Sequence, residues 1–511
     1  MALVWVLVIS HHSVGGRRVE GLGVLELFHP IVAQWFRGAF GRPTPPQALG
    51  WPPIAKGEHT LILAPTGSGK TLAAFLYAID ELIRRPPESD AVPGVHTLYI
   101  SPLKALGYDI ERNLREPLAG IRKVAIAQGI ELPDIRVGVR TGDTSSSERQ
   151  TLVRRPPHIL ITTPESLHLM LTSPRARETL RTVRYVIVDE IHALAPNKRG
   201  TFLSVLLERL EDLCGRPFQR IGLSATIRPL TKVARFLGGY RREDGELSER
   251  AVRVVDAGMR KKLDIKILAP LPDMTALPEG TIWPAIYQRL LELIQSHRST
   301  IVFTGSRRAA ERITAELNEL AGYEVARVHH GSVAKEVRRE LEQQLKAGEL
   351  PALVATASLE LGIDMGLVDL VCQVESPRSV ARALQRVGRA GHVFCAASKG
   401  RLIPKTRADL LEIAAVAWGM RKADIAPVRI PENPLDILAQ QIVAIVAAGP
   451  IPTKEVYRLL RRAYSYRDLP EDSFRKVVEM LAGRSDCPGP VSYTHLRAHE
   501  TRHDLVCRLL L

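Results

Sequence analysis

A glycine-rich segment between an apolar run and a helix pattern constrains this chain more than any other feature. Ala64–Thr71 reads Ala-Pro-Thr-Gly-Ser-Gly-Lys-Thr, follows the strand pattern Thr60–Leu63 and precedes the helix pattern Leu72–Leu82. Glycines let backbone N–H groups close around phosphate oxygens, Lys70 supplies a cation for the β- and γ-phosphates, and the Thr71 hydroxyl reaches Mg²⁺. The segment predicts an α/β fold that binds a nucleotide through Thr66, Gly67, Ser68, Gly69, Lys70 and Thr71.

A second chemical signal is a pair of acids at the end of an apolar run. Tyr185–Val188 leads directly into Asp189 and Glu190. A carboxylate at the end of a buried strand beside a phosphate loop can hold Mg²⁺, and its neighbour can activate an attacking water. We therefore assign Asp189, with Thr71, to the metal and Glu190 to the general base. Without the phosphate loop, two acids that cap a strand end would be the simpler interpretation.

Strand and helix patterns alternate twice along the chain. Further strand patterns are Thr97–Ile100, His158–Ile161 and Arg220–Leu223 and, after the polar stretch Arg241–Arg250, Thr300–Phe303, Glu324–Val328, Ala352–Ala355 and Leu370–Gln373. Nearly all-apolar strands separated by helices require a parallel sheet that is covered on both faces. The sequence predicts two tandem α/β domains, over residues 25–245 and 251–420, with a cleft between them.

The strand patterns stop beyond Trp418. Pro434–Ala448, Thr453–Ala463 and Pro470–Leu481 have helix patterns, the last with Asp472 or Ser473 as its cap. Three short helices in a basic setting fit a partial winged-helix domain over residues 425–490. A helical brace for the second domain fits the pattern equally well.

Several polar segments after the strands could complete a nucleotide site. Gln385 and Arg386 lie four and three residues before Arg389, beside glycines, and a guanidinium matches the oxygens of a transferring phosphate. Arg389 is the first choice for this role and Arg386 the second. The other candidates are Gly362 and Asp364 for backbone and ribose contacts, Ser224 and Thr226 for coupling between the domains, and Gln47 as a reader of the base edge.

Composition limits the class of protein and its partners. A chain of 511 residues is too long for a single small binding module, and its 70 basic against 55 acidic side chains give a net charge of +15, which favours a polyanionic partner. No apolar run is long enough to span a membrane. The five cysteines are scattered and form no Cys-x-x-Cys pair, so we expect a reduced, cytoplasmic protein without structural zinc.

The end of the chain carries a misleading motif. His499–His503 matches the His-Glu-x-x-His pattern of zinc proteases, and His495 adds a third imidazole. There is no room after it for a protease core. The composition also changes at about residue 491, so we interpret residues 491–511 as a non-native tail and exclude them from the fold.

Taken in order, nine segments resemble the motif series of a superfamily 2 helicase, and most closely the Lhr (large helicase-related) family of DEAD/DEAH-box type. They are Gln47, Ala64–Thr71, Ser101–Leu106, Thr141–Asp143, Thr163–Leu167, Asp189–His192, Ser224–Thr226, Thr356–Asp364 and Gln385–His392. The resemblance covers about Phe28 to Ala482. It implies two RecA-like domains, a winged helix and, in the complete family members, a further domain beyond the end of this chain.

The resemblance also implies ATP hydrolysis that drives 3′-to-5′ movement along single-stranded DNA, with unwinding of DNA duplexes or RNA:DNA hybrids in DNA repair. The residues that would line the strand path are Ser101, Lys104, Thr141, Gly142, Thr163 and Pro164 in the first domain and Thr304, Ser306, Arg307, His330, Gly331 and Thr356 in the second. Backbone N–H groups, hydroxyls and a few cations can hold phosphates without reading sequence.

Two departures from the family pattern keep alternatives open. His392 replaces the last arginine that many relatives carry, and Asp189–His192 reads Asp-Glu-Ile-His rather than Asp-Glu-Ala-Asp. An ATP-gated clamp or annealing factor, or an RNA helicase, therefore remains as an alternative to a DNA-unwinding motor. A purely structural role is disfavoured because Lys70, Asp189, Glu190 and Arg389 are all present.

Overall fold

A computed structural model describes residues 23–65, 67–85, 94–225, 227–243, 245–258, 262–275, 281–360, 368–391 and 397–483. The first lobe contains the strands β1 His59–Leu63, β2 Thr97–Ile100, β3 Val137–Arg140, β4 Ile159–Thr162, β5 Tyr185–Val188, β6 Gln219–Ser224, β7 Tyr240–Glu243, β8 Glu246–Glu249 and β9 Val252–Asp256. Its helices are α1 Pro30–Phe40, α2 Pro45–Ala55, α3 Lys70–Arg84, α4 Lys104–Ala127, α5 Ser146–Arg154, α6 Pro164–Thr172, α7 Pro174–Glu178, α8 Ile191–Leu194, α9 Lys198–Cys214 and α10 Leu230–Gly238.

Seven strands of the first lobe form one parallel sheet in the order β3-β4-β2-β5-β6-β1-β9. Helices cover both faces, and the core divides into one apolar cluster on each side of the sheet. The predicted boundary at residue 251 is too early, because β9 pairs with β1 and belongs to this sheet. The polar stretch before it forms the antiparallel hairpin β7–β8, whose strands lack an apolar face because they are mostly exposed.

The second lobe is another parallel sheet, in the order β10-β15-β14-β11-β13-β12. Its strands are β10 Leu263–Ile267, β11 Thr300–Phe303, β12 Ala326–His329, β13 Ala352–Ala355, β14 Leu370–Val374 and β15 Ser398–Ile403, and its helices are α11 Trp283–Gln295, α12 Arg307–Ala321, α13 Lys335–Ala347, α14 Val380–Val387 and α15 Arg407–Lys422. Two parallel-sheet α/β domains are therefore confirmed.

Sequence patterns missed four strands of the large sheets. β3, β9 and β10 are edge strands that are only partly buried, so they tolerate Arg140, Arg253 and Asp264. β15 contains Arg401, whose guanidinium is buried and donates to Asp264 Oδ2 at 3.0 Å. Because its charge has a partner, the strand can lie inside the sheet without being an apolar run.

Three helices follow the second lobe and pack against the first: α16 Leu435–Val446, α17 Thr453–Arg461 and α18 Glu471–Leu481. Val205 of α9 lies in the same apolar cluster as Leu438 and Leu460. The buried guanidinium of Arg209 donates to Gln441 Oε1 at 3.0 Å and to the carbonyl of Ala444 at 3.2 Å. The prediction of a brace for the second domain is wrong, since these contacts join the helices to the first lobe.

The third of these helices begins differently from the prediction. Pro470 occupies the position before its first turn, and no side chain caps it. Asp472 lies in the first turn, where its negative charge interacts favourably with the helix dipole.

In the part of the chain that the structure describes, no helix is long and apolar enough to cross a membrane.

A buried ionic network fixes this docking. Glu208 is fully buried and accepts from Arg220 at 2.8 Å, from Arg250 at 2.9 Å and, from the loop after α17, from Arg462 at 3.1 Å. Glu211 accepts from the same three arginines at 2.8, 2.6 and 2.7 Å. Two carboxylates shared among three guanidiniums therefore link β6, the strand region before β9 and the C-terminal helices.

Glu208→Gln tests this network. Because the substitution leaves buried guanidiniums with too little negative charge, we expect the free energy of unfolding to fall by about 3–5 kcal/mol. Urea unfolding followed by tryptophan fluorescence measures the change. Glu292→Gln, which breaks a half-exposed pair with Arg289 on α11, is the control and should leave the transition unchanged. Equal shifts in the two variants would contradict a stabilising network.

Candidate functional site

The phosphate loop begins at the carboxyl end of β1 and ends at the first turn of α3. Gly67 and Gly69 have φ angles of +79° and +82°, in the left-handed region that favours glycine. Lys70 is the first residue of α3 and is buried, with its Nζ atom 3.7 Å from Glu190 Oε1 and no hydrogen-bond acceptor among the described residues. A buried ammonium group without an acceptor suits an anionic ligand at this helix N-terminus.

Gln47 supports the loop from α2. Its side-chain oxygen accepts from the backbone N–H of Thr44 at 2.8 Å, and its Nε2 donates to the carbonyl of Gly69 at 3.3 Å. A Cβ atom added to Gly69 would lie only 2.7 Å from that Nε2 atom. Gln47 therefore holds the loop in place, while its role in reading a base stays a prediction.

Two buried carboxylates follow β5, close to the loop. Asp189 Oδ1 accepts from the backbone N–H of Glu190 at 2.8 Å, and Asp189 Oδ2 accepts from the hydroxyl of Tyr99. Burial, and then the charge of Glu190, raises the pKa of Asp189 to about 6. Burial acts most strongly and would raise the pKa of Glu190, but the Lys70 ammonium group and the other positive groups nearby together outweigh burial, so the pKa is lowered.

This donor set fits a magnesium ion. The Asp189 carboxylate and the Thr71 hydroxyl, in the first turn of α3, are hard oxygen ligands of the kind that Mg²⁺ prefers. Asp189 is a buried acid whose charge is only partly compensated, since its neighbour is also anionic. A divalent cation would favour the charged forms of Asp189 and Glu190.

Glu190 lies close to His192, which in turn contacts the segment after β6. Glu190 is a non-glycine residue with φ +46°, a strained conformation of the type found at functional sites. Its Oε2 atom lies 3.3 Å from His192 Nδ1, and that nitrogen accepts a hydrogen bond from the backbone N–H of Ala225 at 3.1 Å. Burial lowers the pKa of His192 to about 4, so the ring is neutral near pH 7. Ser224, predicted for coupling, is buried at the end of β6 beside this contact.

The two predicted arginines have different environments on α14 and just after it. Arg386 is buried, donates to Glu360 Oε1 and to Gln373 Oε1 at 2.5 Å, and lies over the ring of Phe303. Arg389 donates to the carbonyl of Glu360 at 2.9 Å. The positive charge of Arg389 acts on Glu190 and His192 across the lobes, which favours Arg389 as the residue facing the nucleotide.

A cleft of about 630 Å³ between the lobes brings these groups together. From the first lobe it is lined by Glu190, His192 and Ala225, and from the second by Gln385 and Arg389. The predicted residues Thr66, Thr226, Gly362 and Asp364, together with His392, lie outside the described residues.

The predicted strand-path residues of the first lobe lie at the carboxyl ends of three adjacent strands. Ser101 and Lys104 follow β2, Thr141 and Gly142 follow β3, and Thr163 and Pro164 follow β4. Lys104 Nζ donates to Asp143 at 2.6 Å, and Thr163 caps α6 by accepting from the backbone N–H of Ser166. The sheet order places this group beside, and separate from, the nucleotide side at β5, β6 and β1.

The second lobe repeats this division. Thr304, Ser306 and Arg307 follow β11, His330 and Gly331 follow β12, and Thr356 follows β13, whereas the arginines follow β14. Arg307 donates to Ser332 Oγ at 2.7 Å, and His330 Nε2 lies 2.7 Å from Glu311 Oε1. The hydroxyl of Thr304 is buried without a hydrogen-bond partner among the described residues.

Sequence reasoning missed Tyr99 and Glu360. Tyr99 carries the one hydroxyl-bearing aromatic ring in β2, and a buried phenol needs a hydrogen-bond partner. Glu360 is an acid in an otherwise small and apolar segment that precedes β14 and, after it, the helix α14 with Arg382 and Arg386. Both signals are visible in the sequence, but neither indicates which partner the group takes.

Three family models match the chain in order. They describe a DEAD/DEAH box helicase over residues 44–233, a helicase conserved C-terminal domain over 285–393, and the winged helix domain of large helicase-related protein over 418–504. The third match agrees with the prediction of a winged-helix domain after the two sheets, but it extends to residue 504 and so includes residues that were predicted to be a non-native tail. That predicted tail lies outside the described residues.

Curated relatives have similar names. The chain is 47% identical over 498 residues to the Lhr helicase/probable uracil glycosylase of Mycolicibacterium smegmatis, an alignment that covers 91% of this chain and 32% of that protein. It is 48% identical over 462 residues to the ATP-dependent helicase Lhr-Core protein 2 of Thermococcus barophilus, covering 90% and 53%. The chain thus spans only a third to a half of these relatives' length.

A solved structure shares the architecture. The Mycobacterium smegmatis helicase Lhr bound to ssDNA and AMP-PNP matches with a TM-score of 0.83 and 50% identity, over 90% of this chain and 58% of that chain. The likeness extends over both sheets and the helices that follow them.

The environments of the two arginines predict different effects on stability. Arg386→Ala leaves the largely buried carboxylate of Glu360 without its main partner, so we expect a loss of about 3 kcal/mol and a clearly lower midpoint of thermal unfolding. Arg389→Ala, whose side chain faces the cleft, is the matched comparison and should lower the midpoint much less. A larger loss in Arg389→Ala than in Arg386→Ala would contradict these assignments.

Proposed function

Because the chain belongs to the Lhr (large helicase-related) family, we propose that it is an ATP-dependent helicase that couples ATP hydrolysis to movement along a nucleic-acid strand. The observation that carries this proposal is the cleft in which Glu190 of one lobe faces Arg389 of the other. The relatives are up to three times longer than the matched region, so the activity of this chain is inferred from its own site.

The nucleotide would bind with its phosphates against the loop and the N-terminus of α3. Lys70 Nζ, which has no hydrogen-bond acceptor among the described residues, would contact the β- and γ-phosphates. Asp189 and Thr71 would hold Mg²⁺, which supplies charge neutralisation to the phosphates when bound. Glu190 would orient the attacking water and accept its proton, and its lowered pKa supports this role because it keeps the carboxylate in the basic form near neutral pH.

Closure of the cleft would complete the site. Arg389 belongs to the second lobe, so its guanidinium can stabilise charge on the transferring phosphate only when the lobes approach each other. The contacts from Glu190 through His192 to Ala225 connect the carboxylates to the segment after β6. A change at Glu190 would thereby reach Ala225, which lines the cleft between the lobes.

The strand would cross both lobes along the carboxyl ends of β2, β3 and β4 and then of β11, β12 and β13. Hydroxyls, glycines and cations dominate there, which suits phosphate contacts that are tolerant of sequence. The single-stranded DNA in the structure of the mycobacterial relative makes single-stranded DNA the proposed partner. Movement in the 3′-to-5′ direction, unwinding of DNA duplexes or RNA:DNA hybrids, and a role in cytoplasmic DNA repair follow from the family resemblance as proposals.

Glu190→Gln tests the motor. Removing the general base should lower ATP hydrolysis by at least about 100-fold while nucleotide binding is retained, because the loop and Lys70 are unchanged. ATP-dependent strand displacement by the parent chain should disappear in the variant. Glu178→Gln, at a half-exposed acid of the same lobe, is the control and should remain fully active. Strand-stimulated hydrolysis without strand displacement by the parent would instead support an ATP-gated clamp.

Lys104→Ala tests the strand path. Loss of one phosphate contact should weaken binding of single-stranded DNA and reduce the slope of log K against log salt by about 1. Fluorescence anisotropy over a range of salt concentrations measures both quantities. Lys123→Ala, an exposed lysine near the other end of α4, is the matched control. An unchanged slope in Lys104→Ala would remove this residue from the path.

A further inference from the structure

The hydroxyl of Tyr99 reaches the candidate metal ligand because of strand register. Tyr99 of β2 pairs with Ile187 of β5. Side chains alternate between the faces of a strand, so Asp189, two residues after Ile187, lies on the same face as Tyr99. The Tyr99 hydroxyl donates to Asp189 Oδ2, and both residues are buried.

Asp189 is held at both of its oxygens. Oδ1 accepts from the backbone N–H of Glu190 at 2.8 Å, while Oδ2 accepts from Tyr99. One hydrogen bond on each oxygen fixes the plane of the carboxylate. Each oxygen still has a second lone pair, so the carboxylate can be oriented and remain available to a metal ion or to its bound water.

The phenol ring is itself fixed by the helix that follows the phosphate loop. The rings of Tyr99 and Phe75 stack with centroids 5.0 Å apart and an angle of 24° between their planes. Phe75 is fully buried in α3, the helix that begins at Lys70. The orientation of Asp189 is therefore set relative to the same helix that would bind the phosphates.

We propose that Tyr99 is a positioning residue for Mg²⁺: its hydroxyl holds the Asp189 carboxylate in the orientation that takes the metal ion with bound nucleotide. This inference rests on the proposed function, because it assumes that Asp189 and Thr71 hold the metal. Tyr99 would act through its hydrogen bond to Asp189 rather than as a ligand of the metal. Loss of the Tyr99 hydroxyl should therefore raise the Mg²⁺ concentration that nucleotide binding requires and leave the affinity for metal-free nucleotide unchanged.

A magnesium titration of nucleotide binding tests the proposal. Binding of a fluorescent, non-hydrolysable ATP analogue to Tyr99→Phe should require about 10-fold more Mg²⁺ for half-saturation than binding to the parent chain. Affinity for the analogue in EDTA should be equal in the two proteins. Tyr466→Phe is the matched control, since that hydroxyl is also in a fully buried residue and donates to the carbonyl of Pro434 at 2.8 Å, far along the chain from this site.

A further variant, Asp189→Ala, distinguishes a failure of the role proposed for Tyr99 from a failure of the metal assignment. If Asp189→Ala raises the Mg²⁺ requirement and Tyr99→Phe does not, the role of Tyr99 is overturned and the metal site stands. If the parent chain binds the analogue without any dependence on Mg²⁺, the metal assignment fails first. An equal shift in Tyr466→Phe would show a general effect on folding and also overturn the role of Tyr99.

Phe75→Leu provides a second route should Tyr99→Phe not fold. It retains the Tyr99 hydroxyl but removes the stacked ring that orients it. We expect a higher Mg²⁺ requirement with a smaller factor than in Tyr99→Phe, and again no change in EDTA. An unchanged Mg²⁺ requirement in this variant would contradict positioning through the ring.

Discussion

Parallel pairing of the strands is the constraint on which the rest of the structure depends. In both large sheets every paired strand runs parallel to its neighbours, so within each lobe all carboxyl ends lie along one edge. Segments that are far apart in sequence meet there for this reason alone. The strand order then separates the residues proposed to bind the nucleotide, at β5, β6 and β1, from those proposed to line the strand path, at β2, β4 and β3.

Buried charge gives this edge its chemistry. Lys70, Asp189 and Glu190 are all almost fully buried, and unpaired buried charges are costly. The protein offsets part of the cost with a 3.7 Å ion pair, the Tyr99 hydroxyl and the backbone N–H of Glu190. The compensation is incomplete within the part of the chain that the structure describes, because the pKa of Asp189 is raised and Lys70 Nζ has no hydrogen-bond acceptor there. A bound nucleotide with a divalent cation would supply the missing partners.

The C-terminal helices pack with the first lobe and form one body with it. They follow the second lobe in the chain but are joined to the first by the network around Glu208 and Glu211. The connecting segment places Val428 and Ile430 in the core of the first lobe. Closure of the cleft would therefore move the second lobe against a body formed by the first lobe and these helices, with Arg389 carried by the moving part.

The sequence by itself determined the elements whose signal is local. The phosphate loop, the acids after β5 and nearly all of the apolar central strands could be predicted, because buried parallel strands are continuous apolar runs and a phosphate loop needs its glycines. The edge strands β3, β9 and β10 could not, because partial burial permits polar residues. β15 could not, because Arg401 finds its partner, Asp264, only in the neighbouring strand β10.

Only the tertiary structure decided which partner each polar group takes. Two arginines three residues apart look equivalent in the sequence, yet Arg386 is buried against Glu360 while Arg389 faces the cleft. Tyr99 and Asp189 are 90 residues apart in the sequence and come into contact because of strand register. The three C-terminal helices pack against the first lobe, where Arg462 binds the charged residues of α9. The partner of each polar group depends on contacts between segments that are distant in sequence. A sequence pattern contains only the local polarity and periodicity of each segment.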